Sequence, residues 1–131
     1  DAKTAEACLS QTHAAGLMVG RGAIGRPAVF GEIKVGLGWM ERDDLPWIAA
    51  HDGDWDELSY VAQQFATRRW CWNRYIELAR ETTGLNLKSM RGHAVSFTKG
   101  LPSAKKIRNI MHGKQSREEF AQATSEFLAT N

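Results

Sequence analysis

Gly16-Leu17-Met18-Val19-Gly20-Arg21-Gly22-Ala23-Ile24-Gly25-Arg26-Pro27 reads as a short apolar strand, a glycine turn and a helix opened by Pro27. Glycines let the backbone turn tightly, and amide N–H groups at such a turn and helix start can point at an anion. In a (β/α)₈ barrel the phosphate commonly sits on the loops that follow the last two strands. Here the turn comes near the start of the chain, with room for little more than one helix before it. The expectation is the last strand–helix unit of a truncated barrel, carried by the tail of a longer enzyme.

The chain has 131 residues, enough for one ordinary domain but well short of the ~250 of a complete barrel. It is 43% hydrophobic and 24% charged, which fits a folded protein and argues against disorder. No apolar run approaches the ~20 residues that span a bilayer, so no membrane partner is expected. The opening residues Asp1-Ala2-Lys3-Thr4-Ala5-Glu6-Ala7-Cys8 look like an amphipathic helix, not a signal peptide. The chain does not begin with Met, which points to an internal start. Cys8 and Cys71 are too few for a disulfide framework. Both are expected on apolar helical faces, in a reduced, cytoplasmic setting.

Outward from the glycine turn, the pattern is helical. Lys3 to His13 should form one helix, Leu17-Met18-Val19 the only strand, and Pro27 to Val35 a second helix stopped at Gly36-Leu37-Gly38. Residues 39–53 read as an acidic connector. Asp54-Trp55-Asp56-Glu57 resembles a capping box opening the longest helix, whose apolar steps from Leu58 to Ala79 persist toward Gly84. A helix over Leu87–Thr98 should bury Leu87, Met90, Ala94 and Phe97, with Gly92 inside it at a cost that some close approach would explain. Ser103 should cap a helix running to His112. Ser116-Arg117-Glu118-Glu119 should cap a last helix burying Phe120, Ala123, Phe127 and Leu128. The fold class expected is mainly α: an antiparallel helical bundle preceded by the last strand–helix unit of the barrel.

The net charge of +2 hides a segregation. Glu41 to Glu57 holds seven acids against Arg42, whereas Thr82 to Arg117 holds none. That second window carries Lys88, Arg91, Lys99, Lys105, Lys106, Arg108, Lys114 and Arg117, with His93 and His112. At helical spacing Lys88, Arg91, Val95 and Lys99 lie opposite Met90, Ala94 and Phe97. Lys105, Arg108 and His112 lie opposite Ala104, Ile107 and Met111. Two basic stripes on adjacent helices suit a polyanion, although a solvated helix surface is the ordinary alternative. His93 could contact RNA or sit half-buried with a structural hydrogen bond. Trp70, Trp72 and Tyr75 alternate with Arg68, Arg69 and Arg74 like a base-stacking surface; core packing is the preferred reading for Trp72, with Trp70 peripheral and Arg68 and Arg69 as secondary RNA contacts. Asp52-Gly53-Asp54-Trp55-Asp56 mimics a calcium loop but lacks its glycine and its final Glu. No zinc-ligand spacing and no Ser-His-Asp set is present, so no metal and no catalytic residue is assigned.

Two segments, Asp1 to Ile33 and Met90 to Arg108, resemble the tRNA-dihydrouridine synthases. In that family the barrel ends in a turn much like Leu17–Pro27. A helical domain follows, with a pattern like Met90-Arg91-Gly92-His93…Phe97-Thr98-Lys99-Gly100-Leu101-Pro102…Arg108. The resemblance covers about 50 of the 131 residues. It implies an enzyme in which NADPH reduces bound FMN, the flavin gives a hydride to a flipped-out uracil of tRNA, and a cysteine protonates the neighbouring carbon. It implies residues 1–35 as a remnant of the FMN-binding barrel and residues 36–131 as the tRNA-recognition domain. Gly20, Arg21 and Gly22 become the flavin-phosphate residues, and Lys88, Arg91, His93, Lys99, Lys105 and Arg108 the RNA-binding ones.

The departures are specific. The family's proton-donating cysteine lies before the matching segment, and neither Cys8 nor Cys71 sits in its context. Phe97 stands where many members carry Tyr, and Gly92 where many carry Lys or Gln, which removes a hydroxyl and a phosphate contact. The chain alone is therefore expected to be inactive, to bind no FMN, and to keep a role in tRNA binding that is completed by the missing N-terminal barrel. Two alternatives stay open: a stand-alone RNA-binding helical module, and a helical protein–protein adapter. Self-association is expected through the orphan strand, whose edges and apolar side chains would lack partners.

Overall fold

The structure, a computed structural model, describes residues 1–113 and 116–130; Lys114 of the basic window lies outside them. Seven α-helices occur among the described residues: α1 (Ala2–Thr12), α2 (Val29–Gly36), α3 (Pro46–Ala49), α4 (Tyr60–Glu81), α5 (Leu87–Thr98), α6 (Ala104–His112) and α7 (Arg117–Leu128). Single 3₁₀ turns cover Arg21–Ala23, Arg42–Asp44 and Trp55–Glu57. The helical bundle is as expected, but the strand is not: no strand occurs among the described residues. Leu17 and Val19 instead lay half-buried side chains against Ala5, Val29 and Ile33, while Met18 is 93% exposed. Alternating side chains have thus found a helical surface, not a sheet. The strand edges that self-association was to use are not formed among the described residues.

Local chemistry explains where the helices begin. Asp1 and Thr4 form a reciprocal capping box: the Thr4 N–H donates to the Asp1 carboxylate at 2.9 Å, and Thr4 Oγ1 donates to the Asp1 carbonyl. The Asp54 signal, by contrast, serves a 3₁₀ turn, with its carboxylate accepting the Asp56 N–H at 2.8 Å. The long helix starts one turn later, where Ser59 Oγ accepts from Ala62 N–H. Ser116 stands at the N-cap of α7 without a side-chain capping bond. Asn86 caps α5 through Ser89 N–H at 3.0 Å.

The main core is gathered by α4. Phe65, Cys71, Trp72 and Ile76 face Met90, Ala94 and Phe97 of α5 and Phe120, Ala121 and Leu128 of α7. Trp72 is wholly buried, and its Nε1 donates to the Ala121 carbonyl at 3.3 Å. In α7 Ala123 and Phe127 are only half-buried; Ala121 and Thr124 take the inner positions. Cys8 is exposed, contrary to its expected apolar face, and Cys71 is buried. Ala28 belongs to the main core, so the segment after the glycine turn is docked on the bundle.

Gly92 has no packing reason to be glycine. A Cβ there would meet nothing within 4 Å, so the close approach expected from sequence is not made within the described residues. Gly92→Ala should raise stability by about 0.5–1 kcal/mol, through helix propensity and a less flexible unfolded chain. A urea melt would read this as a higher midpoint at unchanged slope; a lower midpoint would show an unseen constraint at this turn of α5.

Candidate nucleic-acid interface

Helix α5 divides the candidate residues between its two flanks. On one flank Arg91 and Val95 of α5, Arg108, Met111 and His112 of α6, and Phe120 of α7 line a small groove. The inner faces of both helices are buried as their spacing requires: Met90, Ala94 and Phe97 on α5, and Ala104, Ile107 and Met111 on α6. That burial fixes the helices' rotation and turns the basic stripes outward. Arg91 is exposed and Arg108 half-buried. Two arginines in one concave strip, with no acid in the whole window from Thr82 to Arg117, concentrate positive potential where a phosphate could take a bidentate contact. Lys88 on α5, Lys99 just past its end and Lys105 on α6 are exposed but do not line the groove.

His93 lies on the other flank. It is half-buried, and its Nδ1 is 2.9 Å from the Tyr75 hydroxyl of α4. The two rings meet edge to face with centroids 5.1 Å apart. Burial pushes the Tyr75 phenol above its ordinary range. Together they help line a cleft of about 370 Å³, walled also by Ile24, Pro27, Trp70, Arg74 and Phe97. Of the two readings open for His93, the hydrogen bond within the fold is present; its partner, 18 residues away in sequence, could not be read from any local signal.

The tryptophan-rich stretch packs as core. Trp72 touches Tyr75 and Phe97, and Trp70 is half-buried edge-on to Trp47. Arg68 faces inward. Its Nη1 donates to the carbonyls of Phe97 at 2.9 Å and Lys99 at 2.6 Å, closing the C-terminal end of α5. Burial, and then the neighbouring Arg26, lower its pKa. Its sequence reading as an RNA contact is replaced by this structural one, because the open helix end offers carbonyls that a guanidinium satisfies. Arg69 is exposed.

Gly20, Arg21 and Gly22 lie together on one exposed 3₁₀ turn. A Cβ at Gly20 would meet nothing within 4 Å, and one at Gly22 only Val19 Cγ1 at 3.9 Å. The turn is anchored from its far side. Gly25, at φ +73°, presses against α5 so closely that a Cβ would fall 2.4 Å from the Ser96 carbonyl carbon. Arg26 is paired with Glu32. Among the described residues no group of three or more His, Cys, Asp or Glu side chains is placed to hold a metal. The Cys71 thiol is pushed up to about 11 by burial, far from what an acid–base cysteine needs near neutral pH. No described helix is long and apolar enough to cross a membrane.

A family model described as dihydrouridine synthase (Dus) matches residues 1–131. No solved structure matches the chain.

Proposed function

Because the chain belongs to the dihydrouridine synthase family, whose members are FMN-dependent oxidoreductases that act on tRNA, we propose that this bundle supplies tRNA recognition. The observation that carries the reading is the convergence of Arg91 and Arg108, from two helices of a sequence window without acids, in one groove. Lys88, Lys99 and Lys105 extend the positive field around it and hold further phosphates without fixed geometry. We assign residues 36–131 to this role and residues 1–35 to the barrel side of the enzyme.

The residues present fit the cofactor only in part. Arg21 and the open backbone at Gly20 and Gly22 suit the phosphate of FMN. A barrel needs eight strands, and the described residues hold none. Flavin reduction by NADPH and hydride transfer are therefore not assigned to them, and no catalytic residue is named. Their contribution is to bind and orient the polyanion. Free thiols at Cys8 and Cys71 suit a cytoplasmic setting.

Titration with unmodified tRNA at several salt concentrations tests this reading. Each neutralised phosphate adds about 0.7–0.9 to the slope of log K against log salt. The Arg91→Ala, Arg108→Ala double variant should lower that slope by about 1.4–1.8 and weaken binding at physiological salt at least tenfold. Absence of binding by the parent chain at low salt would overturn the proposal.

A further inference from the structure

We propose that the cleft between the glycine turn and helices α4 and α5 is a seat for one unstacked nucleobase of an RNA strand, on the opposite flank of α5 from the arginine groove. The inference rests on the tRNA reading above and adds a base subsite to it. Four features of the cleft favour a base over an apolar side chain. Its walls include the rings of Trp70, Tyr75, His93 and Phe97, and unpaired bases in RNA complexes stack on such rings. Its polar groups are few and placed together: the Tyr75 hydroxyl and the His93 imidazole, joined at 2.9 Å. Where the hydroxyl donates to Nδ1, Nε2 is left as the ring N–H, and Nε2 makes no hydrogen bond among the described residues. That atom is a donor of the kind that reads a base carbonyl. Third, Arg74 lines the cleft and its pair with Glu77 at 3.1 Å is exposed, so a guanidinium is at hand for a ring or a phosphate. Fourth, the volume of about 370 Å³ lies at the small end of ligand sites.

The placement relative to Arg91 and Arg108 is the other half of the argument. Arg91 and His93 flank Gly92 on α5, and Gly92 is exposed with open space above it. A strand could lie against the bare helix there, its phosphates toward the arginine groove and a base turned into the cleft. The two sites are about one helix diameter apart, ~10–12 Å.

The test compares a short oligouridylate with the same ribose-phosphate chain lacking its bases, at low and moderate salt, using the full chain. The expected result is at least fivefold tighter binding of the oligouridylate, the lower end of what one stacked base contributes. That preference should vanish in Tyr75→Leu and His93→Leu while the salt slope stays as in the parent. Tyr75 also packs on Trp72, so a second variant guards against misfolding: Ile24→Trp, at a position 56% exposed, fills the mouth of the cleft without entering the core and should abolish the preference with an unchanged melting temperature. Equal binding of the two chains, both salt-sensitive, overturns the base seat and leaves the phosphate groove standing. A preference that survives Ile24→Trp also overturns it, because the base is then read elsewhere. No binding of either chain at low salt removes the tRNA reading and the base seat with it.

Discussion

Trp72→Ala should cost about 3–5 kcal/mol, enough to leave a domain of ordinary stability partly or wholly unfolded at 25 °C. This one side chain of α4 ties together α5 and α7. Its ring is fully buried, lies 5.4 Å from Tyr75 and 5.5 Å from Phe97, and its indole N–H reaches the Ala121 carbonyl of α7. Truncation leaves a cavity where α4, α5 and α7 meet, and interiors relax only partly into such a void. Trp72→Phe keeps much of the volume and gives up the hydrogen bond, so it should cost on the order of 1–2 kcal/mol. Chemical denaturation of the two variants separates packing from hydrogen bonding. Equal losses for both would mean that the indole N–H, not the ring's bulk, dominates.

The second large effect belongs to Gly25. Gly25→Ala should destabilise the docking of the turn by about 3 kcal/mol. The left-handed backbone at φ +73° costs a residue with a Cβ about 1–2 kcal/mol, and overpacking typically costs about 1–3 more. The obstruction here is the main chain of Ser96 at 2.4 Å, which no rotamer change can clear. Residues 23–28 must lift off α5, so their amides should exchange faster while those of α7 keep their protection. Gly16→Ala, where a Cβ meets nothing within 4 Å, is the matched control and should leave exchange unchanged. Fast exchange in the control as well would show that the segment is held by something other than the Gly25–Ser96 contact.

The helices α4 to α7 were legible because each carries apolar residues at steps of three and four, and burial follows those steps at Phe65, Trp72, Met90, Phe97, Ile107 and Phe120. The strand was misread for a physical reason. Leu17-Met18-Val19 alternates, but alternation says only that two side chains go one way. It does not say that a backbone partner exists, and here α1 and α2 take those side chains. The arginine groove was half legible: spacing gave the outward stripes of α5 and α6, whereas only the packing of α6 beside α5 makes Arg91 and Arg108 share one concavity. The inward turn of Arg68, with acceptors 29 and 31 residues away, and the pairing of Tyr75 with His93 are products of tertiary structure alone.

The two apolar clusters differ in the order in which they can close. Ala5, Val29 and Ile33, with Leu17 and Val19, join residues near one another in sequence, so little loop entropy stands against their meeting. The main cluster waits on α7: Trp72 reaches Ala121 across 49 residues, and Phe65 meets Phe127 at 5.6 Å between ring centroids. During synthesis at about 5–20 residues per second, α4 therefore emerges several seconds before its wall exists, with Phe65, Cys71, Trp72 and Ile76 still open to solvent. In that interval the long helix is the stretch most in need of a chaperone, and three of its four arginines, Arg68, Arg69 and Arg74, interleaved with the aromatic residues, oppose sticking between nascent chains.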